Sequence, residues 1–175
     1  MLTDKMQDAL NEQINAEIYS AYLYYAMEAY FQSQGLSGCA HWMQWQAIEE
    51  MSHGHKFVSF VNERGGRVKL APIAGPPTEW DSPLAAFEAA YQHEVKVSAL
   101  INKLVDLAQA ERDHATHNFL QWFVGEQVEE EASAGGVVQK LKLAAASPGG
   151  LFMVDRELGQ RPISLPPELT GGGKQ

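Results

Sequence analysis

The sequence contains a single cysteine, Cys39, among its 175 residues. One thiol cannot form an intrachain disulfide, and neither a rubredoxin-type iron site nor a zinc ribbon can be built without several thiolates. We therefore interpret Cys39 as a small packing residue. A chain of this length can bury a core of its own as one domain, so the fold needs neither disulfides nor metal ions for its stability.

Basic side chains are also scarce, with 13 lysines and arginines against 22 aspartates and glutamates. The formal charge of −9 argues against nucleic acid and anionic membranes as partners and favours cations. The N-terminus has no apolar signal core, and no later apolar run is long enough to span a bilayer. We expect a cytoplasmic protein.

No segment has the alternating pattern of a β-strand, whereas four long segments have apolar residues at three- and four-residue spacing. This pattern predicts an all-α fold. The predicted helices cover approximately residues 3–34, 37–64, 82–110 and 113–145. Gly135-Gly136 is a weak point where the fourth helix could kink. Ser147-Pro148 can begin a short fifth helix at about 148–159, and we expect a mobile tail over 160–175.

The connections between the predicted helices differ in length. Short turns near Gly35 and Arg112 predict two antiparallel hairpins. The proline-rich segment "VKLAPIAGPPTEWDS" between the second and third helices reaches about 50 Å when extended. A helix of 28 residues is only about 42 Å long. The segment can therefore cross the whole bundle, which predicts a four-helix bundle with one long crossover.

Polar residues interrupt the apolar faces of these helices. In "AIEEMSHGHKF", helical periodicity places Glu50 and His53 on the apolar face, Glu49 at its edge and His55 roughly opposite. Glu17 lies in the middle of the apolar face of the first helix. We interpret His55 as a solvated or interface residue.

The second half of the chain repeats this arrangement 77 residues later, with Glu94, Gln127 and Glu130 in the places of Glu17, Glu50 and His53. Any one of these residues could be a satisfied buried polar group. Four carboxylates in one core, however, would repel each other and bind protons unless cations joined them. Carboxylates with one imidazole suit iron or manganese, so the pattern favours a dinuclear metal site.

A glutamate from each of two helices together with a Glu-x-x-His pair resembles the ferritin-like di-metal carboxylate arrangement. More specifically, "NAEIYSAYLYYAM", "QAIEEMSHGHKF", "NFLQWFVGEQVEEE" and "GLFMVDREL" resemble prokaryotic non-haem ferritin over nearly the whole chain, 1–175. The resemblance implies an iron-storing ferroxidase. Such a protein oxidises Fe²⁺ with O₂ or hydrogen peroxide and stores Fe³⁺ as a mineral.

The resemblance also implies a set of ligands. One iron would be held by Glu17, Glu50 and His53, and a second by Glu50, Glu94 and Glu130, with Glu50 bridging. Gln127 departs from the symmetrical carboxylate pattern and is either a weak ligand or a hydrogen-bonding neighbour of the ligands.

Four acidic residues match a third iron site of the family: Glu49, Glu126, Glu129 and Glu130. The alternative is that the run "EEE" is a solvated acidic face. Tyr24, two turns after Glu17, resembles the tyrosine that donates an electron and a proton during oxygen reduction, and an ordinary core tyrosine would look the same. Trp122 is similar to a neighbouring tryptophan of the family, with the same alternative.

A second apolar set on the second helix predicts a subunit interface: Trp45, Ile48, Met51 and Val58. The resemblance implies a hollow homo-oligomeric shell of 24 subunits. Bacterioferritins bind haem through a methionine placed as Met51 is. Gln127 and Glu130 are typical of the non-haem branch, so we expect no haem here.

Two other functions remain alternatives at this point. A di-iron oxygenase or peroxidase such as a rubrerythrin is disfavoured by the missing cysteine pairs and would stay small in solution. A bundle with a structural or binding role would neither hold iron nor oxidise Fe²⁺.

Overall fold

The computed structural model describes residues 2–162 of the chain. Within that range the chain forms five α-helices and no strand. The helices are α1 (Asp4–Ser33), α2 (Ser37–Glu63), α3 (Pro83–Ala110), α4 (His114–Ala144) and α5 (Gly150–Leu158). The predicted all-α class and the order of long and short helices are confirmed. Most of the predicted tail, from residue 163 onward, lies outside the described residues.

The long helices begin where side chains can cap them. Thr3 accepts a hydrogen bond from the Met6 amide, and Asp113 accepts one from the Thr116 amide. Ser82 caps α3 through the Ala85 amide, and Pro83 occupies the first helical turn, where its missing N–H is no loss. Gly35 follows the end of α1 with φ of +72°, a conformation that glycine adopts without steric cost.

The contacts between helices give the orientation of the two hairpins. Phe31 of α1 packs on Phe87 of α3. Tyr24, about two turns earlier in α1, contacts Glu94, about two turns later in α3. Helices α1 and α3 are therefore antiparallel. Because α1–α2 and α3–α4 are hairpins, α2 and α3 are parallel, as the long connection requires.

The crossover between α2 and α3 runs along α1. Asn11 donates to the Arg67 carbonyl at 3.0 Å and accepts from the Lys69 amide at 2.7 Å. Farther along, Trp80 packs edge-on against Tyr30 near the other end of α1. These contacts span most of α1, so the predicted long crossover is confirmed.

The apolar core is divided into two clusters. One contains Tyr24, Phe31 and Phe87, and the other contains Leu10, Phe57 and Phe123. A layer of buried polar residues from all four long helices lies at the levels between them. The fold therefore places these polar groups in the middle of the bundle, away from its ends.

Two local expectations were not met as stated. The residue that caps α5 is Gly149, with φ of +78°, and not Ser147. Helix α4 continues through Gly135-Gly136, and a kink there stays a prediction. Trp45, predicted to lie on an exposed interface stripe, is only 7% exposed and packs against His41. No helix in the described range is both long enough and apolar enough to cross a membrane.

Candidate metal centre

The buried polar layer brings together six residues from four helices, each at most 6% exposed. They are Glu17 from α1, Glu50 and His53 from α2, Glu94 from α3, and Gln127 and Glu130 from α4. The same helical periodicity that packs the apolar residues also turns these side chains inward. His55, two residues from His53, is exposed, as its place on the opposite face predicts.

Glu17, Glu50 and His53 form the first group that could hold a metal ion. Each offers one ligand atom, and the three atoms lie within 4.8 Å of one another. His53 Nδ1 is 3.4 Å from Glu50 Oε2, and Gln13 Nε2 donates to Glu17 Oε1 at 2.8 Å. Glu50 Oε2 is buried and has no hydrogen-bond partner among the described residues. A buried oxygen without a donor fits a carboxylate whose partner is a cation.

The second group consists of His53, Glu126 and Glu130. His53 Nε2 lies 3.9 Å from Glu126 Oε1, so the two ring nitrogens of His53 face the two groups. Glu130 Oε2 accepts a hydrogen bond from Gln46 Nε2 at 2.6 Å. The groups are thus adjacent and share one residue.

Glu94 is held apart from both groups. The Tyr24 hydroxyl donates to Glu94 Oε1, and Gln127 Nε2 donates to Glu94 Oε2 at 3.2 Å. The expected set of Glu50, Glu94 and Glu130 is not one of the groups that the described residues form. Gln127 donates a hydrogen bond to Glu94, which is the second of the two roles expected for it, weak ligand or hydrogen-bonding neighbour of the ligands.

Burial makes the charges of this layer costly. Desolvation raises the pKa of Glu17 to about 7, with the nearby Glu94 adding to the shift and Gln13 opposing it. Burial, then Glu94 and Glu49, raise the pKa of Glu130 to about 8. The pKa of Glu50 is raised well above its usual range by burial and by the carboxylates of Glu94, Glu17 and Glu130. Bound cations would relieve both the burial cost and the repulsion.

The four residues expected to form a third site are only partly brought together. Glu126 and Glu130 lie in the second group, and Glu129 is exposed. Glu49 Oε2 accepts a hydrogen bond from Arg161 Nη2 at 2.7 Å. The charges of Glu129 and Glu49 add to burial in raising the pKa of Glu126.

Two aromatic residues border the layer in different ways. Tyr24 is fully buried, and burial together with Glu94 raises the pKa of its phenol well above 10, so the hydroxyl keeps its proton. Trp122 is 43% exposed and packs edge-on against His53, with ring centroids 5.5 Å apart. Lys56 Nζ lies 3.8 Å from the centre of the same indole ring.

Three residues that contact the layer were not predicted to do so. Gln13 lies four residues before Glu17, and this helical spacing could have indicated their contact. Gln46 lies on the same apolar face as Glu50, which places it near the centre without revealing its partner. Arg161 reaches the layer from beyond α5, and no local sequence pattern signals that contact.

A family model for the ferritin-like domain matches residues 7–144 of this chain. The chain belongs to the ferritin family. Among its curated relatives, the bacterial non-heme ferritin of Bacteroides fragilis is 48% identical over 161 residues, which cover 92% of this chain and 100% of the relative. The bacterial non-heme ferritin of Campylobacter jejuni is 38% identical over 156 residues, covering 89% of this chain and 93% of the relative.

The solved structures similar to this ferritin-family chain include an open pore ferritin from the hyperthermophilic archaeon Archaeoglobus fulgidus. It is 56% identical, with a TM-score of 0.91 over 93% of this chain and 100% of that chain. A form of the Archaeoglobus fulgidus ferritin engineered to be closed gives a TM-score of 0.92 at 55% identity, covering 94% of this chain and 100% of that chain. The resemblance to prokaryotic non-haem ferritins, expected from the motifs, is confirmed by these relatives.

Proposed function

We propose that this protein is an iron-storing ferroxidase that oxidises Fe²⁺ within its own helical bundle. The observation that carries the proposal is the shared position of His53 between two groups of carboxylates, all of them buried except the half-buried Glu126. Two adjacent cation sites inside one bundle can hold two Fe²⁺ ions as substrates. The family membership of the chain supports iron as the cation.

The protein contributes ligands, orientation and charge to this reaction. Glu17, Glu50 and His53 would hold one Fe²⁺, and His53 or Glu50 would join it to the site that contains Glu130. Hard carboxylate oxygens stabilise Fe³⁺ more than Fe²⁺, which favours loss of an electron from each ion. Glu94 and Gln127 lie beside these groups, where Glu94 could turn toward an ion or stay with Tyr24.

The electrons and protons must balance in either oxidant's reaction. Two Fe²⁺ ions give two electrons to O₂, which takes up two protons to become hydrogen peroxide. Alternatively, they give two electrons to hydrogen peroxide, which takes up two protons to become two waters. Both electrons come from the two Fe²⁺ ions, and the protonated carboxyl groups of the layer are the local sources of the two protons. Tyr24 keeps its own proton and holds Glu94 through its hydroxyl.

We also propose that the protein assembles as a shell of 24 copies in which Fe³⁺ is stored as a mineral. Exposed apolar side chains on two separate surfaces support contacts between copies. Tyr22, Tyr25 and Met51 lie on the outer sides of α1 and α2, and Phe152 and Met153 are exposed on α5. Met51 is 40% exposed, and we still expect no haem at this residue.

The test is stopped-flow measurement of Fe²⁺ oxidation by the metal-free protein, with light scattering on the same samples to give the mass of the assembly. Glu50→Ala removes the buried carboxylate whose Oε2 accepts no hydrogen bond from the described residues, and Glu12→Gln changes an exposed carboxylate on α1 as the matched control. We expect fast oxidation of about two Fe²⁺ per subunit by the wild type and the control, and loss of the fast phase in Glu50→Ala. Oxidation by the wild type no faster than in buffer would contradict the proposal.

A further inference from the structure

Arg161 connects the segment after α5 to the edge of the polar layer. Its guanidinium donates from Nη1 to Gln46 Oε1 at 2.5 Å and from Nη2 to Glu49 Oε2 at 2.7 Å. The same group lies 5.4 Å from the centre of the Trp42 ring. The Arg161 carbonyl is 3.1 Å from His41 Nε2, so main chain and side chain are both held against α2.

The contact with Gln46 fixes the direction of a buried amide. Arginine has only donors, so the Gln46 side chain must turn its oxygen toward Arg161. Its NH₂ group is then directed at Glu130 Oε2, at 2.6 Å. Arg161 thereby determines which atom of Gln46 meets a carboxylate of the second group.

Arg161 also forms an ion pair with Glu49, an acidic residue beside the second group. The guanidinium that binds Glu49 also binds Gln46, and Gln46 donates to Glu130, so one guanidinium and one amide connect the Glu49 carboxylate to the second group. Glu49 is 30% exposed and Arg161 24% exposed, so their ion pair is partly screened by solvent and can be broken. The second group holds His53, only 3% exposed, together with two carboxylates.

We propose that Arg161 is a positioning residue that withholds Glu49 from the second group, so that a metal ion gains Glu49 as a ligand only by displacing the guanidinium. This inference rests on the proposed function, since it takes the second group as a place where Fe²⁺ binds. Arg161 then acts as an internal cation that competes with the metal ion for one carboxylate. Release of Arg161 also frees the Gln46 amide to rotate away from Glu130.

The inference is tested by calorimetric titration of the metal-free protein with Zn²⁺, which binds carboxylate and imidazole ligands without being oxidised. The variants are Arg161→Gln, Arg161→Lys and the double variant Arg161→Gln with Glu49→Gln. Arg156→Gln, an exposed arginine on α5, is the matched control. Circular dichroism and light scattering show whether each variant is folded and assembled.

Removal of the guanidinium releases Glu49 toward the second group and should therefore strengthen the weaker Zn²⁺ binding step about tenfold in Arg161→Gln. The gain should be lost in the double variant, and Arg161→Lys, which keeps the charge, should stay within about threefold of the wild type. An affinity in Arg161→Gln equal to or weaker than that of wild type, or a gain that persists without Glu49, would overturn the inference alone. Absence of Zn²⁺ and Fe²⁺ binding in the wild type and every variant would overturn the proposed function as well.

Discussion

The Tyr24 hydroxyl donates its hydrogen bond to Glu94, across the interface between α1 and α3. Both side chains are fully buried, and Gln127 donates to the other oxygen of the same carboxylate. Glu94 is therefore held by two donors at the level of the candidate metal groups. This arrangement makes the Tyr24 hydroxyl the nearest described hydrogen-bond donor to that carboxylate, and its role can be tested by removing one oxygen atom.

Tyr24→Phe should slow Fe²⁺ oxidation about tenfold, because Glu94 loses the hydroxyl that holds it. Zn²⁺ affinity should stay within about twofold of wild type, because Tyr24 belongs to neither metal group. The loss of one buried hydrogen bond should lower the free energy of unfolding by about 1 kcal/mol. Stopped-flow absorbance and thermal unfolding measure the two effects. Tyr22→Phe, at an exposed position of the same helix, is the control and should change neither.

His53→Ala should weaken metal binding at both groups, since its ring nitrogens face Glu50 on one side and Glu126 on the other. We expect affinities for Zn²⁺ to fall by about 100-fold or more at each step, as for loss of a ligand. His55→Ala changes an exposed histidine on the same helix and should bind as the wild type does. Loss of only one of the two binding steps in His53→Ala would contradict the shared role.

The metal-free protein should lose stability as the pH rises from about 6.5 to 8.5. Burial raises the pKa of Glu17 to about 7 and of Glu130 to about 8, so the folded state favours their protonated forms. The stability that these two carboxyl groups contribute to the fold is complete below the ordinary carboxyl pKa. It is lost as the pH rises through their raised pKa values in the folded state. The free energy of unfolding should fall by a few kcal/mol over this range.

The lower limit of this pH range is set by His93, whose contribution to the free energy of unfolding changes with pH in the opposite direction. Burial, aided by Lys96, lowers the pKa of His93 to about 4, so its contribution to stability rises with pH and is complete near 6.5. Thermal unfolding in the presence of a chelator measures the decline above that pH. Glu130→Gln should flatten it, and saturating Zn²⁺ should reverse it. A stability that rises with pH in the wild type would show that these carboxylates are not protonated in the fold.

Asn11→Ala should destabilise the protein by about 1 to 3 kcal/mol, because the crossover loses a donor and an acceptor and two backbone groups lose their partners. Chemical denaturation of the metal-free protein measures this change. Asn102→Ala, at an exposed position of α3, should change stability by less than about 0.5 kcal/mol. If the two variants are equally stable, the crossover is not anchored by Asn11.

Features with a regular period were predictable from the sequence. The spacing of apolar residues gave the long helices to within about one or two residues, and the same spacing identified Glu17, Glu50 and His53 as inward-facing. The reach of the proline-rich segment gave the crossover, because chain length limits which helix ends can be joined. These inferences depend only on residue spacing and chain length, which can be read directly from the sequence.

Features that depend on contacts between distant residues were not predictable in the same way. Periodicity places Glu94 inside the bundle, but the choice between an ion and the Tyr24 hydroxyl depends on side-chain rotation. Arg161 reaches Gln46 across 115 positions of the sequence, and such a pairing leaves no local signal. Trp45 was expected on an exposed face, yet neighbouring side chains cover it.

The separation of the apolar core into two clusters has a consequence for where the bundle can move. Each cluster can hold its own end of the four helices together by packing, as between Phe31 and Phe87 at one end and Phe57 and Phe123 at the other. The central layer is held by polar contacts, so carboxylates there can rotate without opening either end. Side-chain rearrangement on metal binding can therefore stay confined to the central layer, while the packing of the four helices at both ends is retained.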